Sequence, residues 1–486
     1  MRDDLKQKTI SGVSWSFVEQ ILVRGFNFII GIILARLLDP SDYGLIGMIG
    51  IFMAISQLFI DGGFANALIQ CKEVTEKDLS TVYIINICVS LFFYAILFFT
   101  APYIAAFYHQ PLLKSLTRWF ALILIIGSLS AVHNTILTIR VDFKTKSYIS
   151  TIGAVISGIV GVICAYKGMG VWALVVQSLT SSFSGTILTV LIVKWHPKLI
   201  FSTESFNKLF SYGSKLLAAS LISTVYSNIY PLVIGKKFTS TDVGYYSRAG
   251  QFPSLCSTTV GGVLNRVAFP ILSRIQDDDE RLLRVYEKYI QFSSFIIFPM
   301  IMGLCGIARP LVSLLLTDKW IECVPLMRIL CFSVLFDGII LINLNLLYVK
   351  GRSDLVLKLE IIKKSIAFTI LFITSFFSIK VMCYGTVAYS LIALYLNTIY
   401  TKKLLNYSLW QQFKMIAPYL LISLIILFES GFLCAFISNN WTALGLSLII
   451  GAATYLLLSR KANLYAYVEI QNYIIKLIRP RKQKLI

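Results

Sequence analysis

Apolar runs of about 20 residues, long enough as helices to cross roughly 30 Å of hydrocarbon, recur along the whole chain with short polar breaks between them. Fourteen can be counted, at residues 9–36, 43–65, 79–108, 116–139, 146–167, 170–194, 207–236, 242–270, 283–316, 321–349, 355–379, 383–405, 412–437 and 441–459. Arg309 and Pro310 interrupt the ninth run, and Ser, Asn and Tyr dilute the seventh, so twelve or thirteen spans also fit the pattern. The leader MRDDLKQK enters the first run without a small-residue cleavage site, and that run continues past Ile33, which reads as an uncleaved first span. The pattern predicts an all-α integral membrane protein.

The spans repeat. Gly12 and Gly213 each precede an Asp-x-Gly, at Asp42 and Gly44 and at Asp242 and Gly244, so the two Asp-x-Gly pairs are offset by 200 residues. Further on, GMGVWAL at 168–174 matches CYGTVAY at 383–389. The common order predicts two six-helix lobes, 1–196 and 197–408, then a helix pair over 409–459 and a basic tail over 460–486. Six is even, so the lobes are parallel repeats about an axis along the membrane normal. Each Asp-x-Gly precedes a span, where Asp caps a helix and Gly makes a turn, a structural role.

Polar residues inside apolar spans carry the candidate chemistry, because an ionisable group at the bilayer centre costs about 2.5 to 3.5 kcal/mol unless it faces water or a partner. Arg24 lies too deep in the first span to reach an interface easily. Gln20, Arg24 and Asn27, with Ser16 and Gly31, form one stripe. The eighth span carries Arg248, Gln251, Thr258, Gly262 and Asn265 on a stripe, with Arg266 beside it. These stripes predict the lining of a basic cavity, with interhelical hydrogen bonding without a ligand as the competing reading. Lys215, Lys363 and Lys364 lie near span ends and can extend to the interface; Lys215 is also a candidate for the cavity. Glu19, Asp61, Asp337 and Glu429 are the mid-span acids, candidate charge partners or ion-coupling groups. Glu19 and Arg24 are five residues apart and do not pair on one helix face.

Composition supports membrane lipid as the solvent: the 486 residues are 57% hydrophobic and 14% charged, and mean hydropathy is +0.76. An excess of 44 Lys and Arg over 24 Asp and Glu gives a net charge of +20. In a soluble chain that charge would suggest nucleic acid, but here 28 basic residues fall in connections on the side of the termini and nine on the other. The bias predicts both termini in the cytoplasm and no nucleic-acid partner. The final IRPRKQK reads as a stop-transfer tail or as a segment on the anionic inner leaflet. Nine cysteines without a CxxC and three scattered histidines imply core packing and no metal site. No GxxxxGK[ST] occurs, and connections opposite the termini are too short for glycosyltransfer or polymerisation, so no cofactor is expected and an enzyme is the least favoured reading.

The stretches KTISGVSWS at 8–16, LARLLDPSDYGLIGM at 34–48, DGGFANALIQCKE at 61–73, GYYSRAGQFP at 244–253, RVAFPILSRIQDD at 266–278 and LLLTDKWIECVPLMRIL at 314–330 resemble polysaccharide flippases of the multidrug/oligosaccharidyl-lipid/polysaccharide superfamily, particularly the colanic-acid exporter branch. The resemblance implies fourteen helices in two lobes plus a final pair. It also implies transfer of undecaprenyl-pyrophosphate-linked repeat units from the cytoplasmic to the periplasmic leaflet by alternating access, with an ion gradient as the common driving force. A polysaccharide polymerase and chain-length machinery are the protein partners it suggests. In related lipid II flippases, arginines on helices 1 and 8 line the cavity, and Arg24 and Arg266 lie on the corresponding helices. An arginine early on helix 2 of those proteins has no equivalent here, so the resemblance does not extend to lipid II as cargo. A multidrug or small-cation antiporter on the same fold is the alternative, disfavoured by a cationic cavity.

Overall fold

The computed structural model describes Val23 and residues 25–71 and 73–478, and among these every regular element is a helix. The chain divides by packing into two compact units, with the boundary between Gly244 and Tyr245.

The first unit runs through α1 (Gly25–Leu37), α2 (Pro40–Asp61), α3 (Phe64–Gln70), α4 (Glu76–Tyr108), α5 (Leu112–Phe120), α6 (Leu122–Ile139), α7 (Phe143–Tyr166), α8 (Val171–Val193), α9 (Thr203–Lys237) and the start of α10 (Ser240–Arg274). Caps define its helix ends. At Thr75 the hydroxyl accepts from the Asp78 amide while the Asp78 carboxylate accepts from the Thr75 amide, which starts the 33-residue α4. Trp195 Nε1 donates to Glu76 Oε2 at 3.1 Å, and the amides of Lys198 and Ser202 donate to Ser80 and Thr81, so the α8–α9 connection is tied to the start of α4. Ile30 and Leu34 of α1 pack with Ala165, Ala173 and Leu174 of α7 and α8.

The second unit continues α10 and adds α11 (Asp279–Gly306), α12 (Ala308–Leu316), a 3-10 turn at Asp318–Trp320, α13 (Cys323–Val334), α14 (Asp337–Val349), α15 (Ser353–Thr374), α16 (Ile379–Leu405), α17 (Leu409–Phe436), α18 (Asn440–Lys461) and α19 (Tyr465–Ile478). Its core joins Tyr286 and Phe298 of α11, Ile339 of α14, Tyr419 of α17 and Tyr455 of α18. Asn343 is fully buried at the centre of a polar knot: its Oδ1 accepts from Tyr286 Oη at 2.8 Å and from Thr401 Oγ1, and its Nδ2 donates to Gln412 Oε1 at 3.2 Å. Such interhelical hydrogen bonds hold spans together where no hydrophobic force acts between them.

Each expected span coincides with a helix or a broken pair, the first of them over its described part, and eleven are long and apolar enough to cross a membrane among the described residues. The other three are α1, described as a helix only from Gly25, α9, and α15, which carries Lys358, Glu360, Lys363 and Lys364. The ninth run does break, at Ile307, between α11 and α12. Lys363, expected to extend to the interface, is instead 4% exposed and pairs with Glu360 one turn earlier on α15; the partner removes the need to reach water. The tail carries a helix, α19, before residues 479–486, which lie outside the described set.

The two Asp-x-Gly segments pack reciprocally. A Cβ on Gly44 would collide with the Ser240 carbonyl, and one on Gly244 with the Pro40 carbonyl. Asp42 accepts from the Asp39 amide and Asp242 from the Thr239 amide, both at 3.1 Å, so each segment starts its helix in the same way. Within the first unit, which extends to Gly244, α9 lies against α2, α3 and α4. The α3–α9 approach is so close that a Cβ on Gly63 would meet the Gly213 backbone.

Candidate substrate cavity

The segment Asp61-Gly62-Gly63 breaks the second span. Both glycines take positive φ, 47° and 72°, a backbone that an L side chain resists, and the chain turns there from α2 into α3. The turn places Asp61 and Asn66 on the wall of a cavity of 630 Å³ inside the first unit.

Another wall is α6, where Ser130, Asn134 and Thr138 recur every four residues and so share one face. Their hydrogen bonds fix them locally: Asn134 Nδ2 donates to the Ser130 carbonyl at 3.2 Å and Thr138 Oγ1 to the Asn134 carbonyl at 2.9 Å. Ser130 Oγ lies 3.1 Å from Thr186 Oγ1 of α8. Gln57 Nε2 donates to Asp61 Oδ1 at 3.0 Å, one turn apart on α2. Asn86 of α4 is buried, and its Oδ1 has no hydrogen-bond partner among the described residues. Lys146 of α7 approaches Thr138 at 3.5 Å, and Thr135 of α6 and Ser220 of α9 also line the cavity.

Amides and hydroxyls therefore make up most of the polar part of a lining that also includes Leu58, Ile69, Val82 and Leu217. Among the described residues its charged groups are one carboxylate and one ammonium, and no aromatic ring lines it. Amide side chains present donors and acceptors together, which suits a ligand rich in hydroxyls.

The family model described as "Polysaccharide biosynthesis protein" matches residues 33–325, more than half the chain. The chain belongs to this family. The matched region contains DGGFANALIQCKE, the stretch that forms the turn and the α3 wall of the cavity. Among curated proteins the chain is 25% identical over 353 residues to the teichuronic acid biosynthesis protein TuaB of Bacillus subtilis (strain 168), covering 72% of this chain and 73% of the relative. It is also 25% identical over 365 residues to the lipopolysaccharide biosynthesis protein WzxC of Escherichia coli (strain K12), covering 74% and 73%. Among solved structures, the lipid II flippase MurJ in its inward closed conformation superposes with a TM-score of 0.74 at 16% identity, over 93% of this chain and 98% of that one. An inward-facing multidrug resistance transporter of the MATE family gives 0.56 at 14% identity, over 79% and 95%. At such identities these structures show a shared fold alone.

Of the residues expected from sequence, Asp61 lines the cavity. Gln20, Arg24 and Glu19 lie outside the described residues, as does the side chain of Lys215 on α9. Asn27 is exposed on α1. Arg248 is buried at the start of the second unit: its Nη1 donates to Gln251 Oε1 at 2.6 Å, and its guanidinium carbon lies 5.7 Å from the Trp320 ring centroid. Asn265 accepts from Asn345 Nδ2 at 2.7 Å, and Arg266 beside it is exposed. Asp337 accepts from Ser257 Oγ at 2.8 Å and Glu429 from Thr454 Oγ1 at 3.1 Å, each engaged with a hydroxyl of a neighbouring helix. The cavity residues Asn86, Ser130, Asn134 and Thr138 are not among those expected, although the every-fourth-residue stripe on α6 is legible in the chain.

Proposed function

We propose that the protein is a flippase that carries undecaprenyl-pyrophosphate-linked oligosaccharide from the cytoplasmic to the periplasmic leaflet of a bacterial inner membrane. The observation that best supports this reading is the 630 Å³ cavity whose wall carries a cluster of amide and hydroxyl groups within a unit of membrane-spanning helices. The amides and hydroxyls of this wall offer partners to sugar hydroxyls. Membership of a polysaccharide biosynthesis family supports the same class of cargo. The sugar enters the cavity while the prenyl chain stays in lipid. Arg24 and Arg266 are the candidate ligands of the pyrophosphate, which a guanidinium holds through paired N–H donors. Among the described residues Asp61 is the one mid-span acid on the cavity wall, which makes it the group positioned to exchange a coupling ion with the cargo.

The fold also accommodates a multidrug antiporter, but planar cationic drugs bind best against aromatic faces, and the described cavity wall has none. Replacing Asn86 and Asn134 together by Leu nearly conserves volume and removes the amides. Surface polysaccharide in cells relying on this protein should fall roughly tenfold or more, the effect of losing two neutral hydrogen bonds of about 1 kcal/mol each, while protein abundance holds. Undiminished polysaccharide in the double variant would overturn the sugar-binding assignment.

A further inference from the structure

Arg328 is a basic residue within a span that neither the polar stripes nor the connections account for. In the second unit it lines a pocket of 610 Å³ together with Arg309 of α12, the end of α11, and residues between Leu427 and Ala435 of α17. Both arginines are exposed, no carboxylate lines the pocket among the described residues, and Phe428 and Phe432 on its wall are 74% and 62% exposed.

The pocket has a definite depth. Arg309 stands just beyond α11, whose last residue is Gly306, and α17 ends at Phe436, so the lining reaches about 14 Å down from that end of the helices. Trp441, 69% exposed, lies in the first turn of α18, and Asn440 Nδ2 donates to Ser313 Oγ of α12, which places the tryptophan at this same end. Exposed tryptophan at a span end marks the level of lipid headgroups. The two guanidinium groups thus sit near headgroup level, beside phenyl rings at the level of upper acyl chains.

We propose that this pocket binds an anionic glycerophospholipid, with its phosphate between Arg309 and Arg328 and an acyl chain against Phe428 and Phe432. Guanidinium groups pair with phosphate oxygens through parallel N–H donors. The phenyl rings explain why the ligand carries a tail, since a free phosphate would leave them without a partner. The site lies within the second unit, and its occupancy does not depend on transport.

The test is lipid retention by the full-length protein, taken from nanodiscs of phosphatidylethanolamine and phosphatidylglycerol and counted by native mass spectrometry. Wild type should retain phosphatidylglycerol, and the Arg309→Gln, Arg328→Gln pair should retain at least tenfold less. The Phe428→Ala, Phe432→Ala pair should also lose it, and the Arg309→Lys, Arg328→Lys pair should keep part. Equal retention in the glutamine pair would overturn the proposal. If that pair does not fold, unchanged retention in the alanine pair overturns it equally. Displacement by inorganic phosphate at equal concentration would assign a free-anion site, and preferential displacement by undecaprenyl pyrophosphate would assign a cargo site; either result rejects the phospholipid. Retention is read without export, so failure of this site and failure of the transport reading are distinguishable.

Discussion

Arginines that look alike in the chain stand in different surroundings. Arg248 is buried, hydrogen-bonded to Gln251 and set over Trp320, so its charge already has a structural setting. Arg266, on the same helix, is exposed, and Arg24 belongs to the polar stripe of the first span. Removing Arg248 should therefore lower thermal stability, whereas Arg24→Ala and Arg266→Ala should abolish surface polysaccharide at unchanged abundance. Lysine in place of Arg24 keeps the charge and loses the planar fork. If the partner is a pyrophosphate, that loss costs about 1 to 3 kcal/mol and export of lipid-linked repeat units should fall roughly ten- to a hundredfold. Full export in Arg24→Lys would point to simple charge neutralisation by an acid, and wild-type export in both alanine variants would remove the two arginines from the site.

Between elements, the reciprocal approach of α2 and the start of α10 depends on the absence of two side chains. Gly44 and Gly244 each face a backbone carbonyl of the other segment, so the rigid partner cannot move aside as a flexible side chain would. Alanine at either position should cost about 1 to 3 kcal/mol, measured as a lowered unfolding temperature in detergent. Because both substitutions widen the same crossing, the double variant should lose less than the two single losses combined. Strict additivity, or no change in either single variant, would show that the helix starts separate without penalty. Export measured in the same variants tells whether that crossing is also used during transport.

Across the full chain, the distribution of basic residues sets the expected orientation: 28 on the side of the termini against nine on the other. All nine cysteines are free, so a cysteine-less background is needed before single cysteines can report sidedness. A cysteine added at the C-terminus should resist a membrane-impermeant thiol reagent in intact cells, and one replacing Lys319, in the α12–α13 connection, should react. Labelling at the C-terminus in intact cells would reverse the topology and, with it, the direction of transport.

The order of residues is enough to establish the helical class and to locate the helical segments, because a bilayer accepts few ways of satisfying backbone polar groups and demands long apolar helices. It also contains the Asp-x-Gly repeat, whose helix-starting role the Asp42 and Asp242 hydrogen bonds display. Which polar residues meet is settled by packing. Asn86 on α4, Asn66 on α3, Asn134 on α6 and Ser220 on α9 are far apart in the chain, and they share one cavity because the Gly62-Gly63 turn and the Gly63–Gly213 approach bring α3 and α9 together. Likewise Arg248 and Arg266 belong to neighbouring polar stretches of one span, and the fold sets them apart: Arg248 is buried over Trp320, and Arg266 is exposed. Periodicity along a helix shows which residues share its face; what that face meets depends on the neighbouring helices, and their crossing is set by contacts between residues remote in sequence.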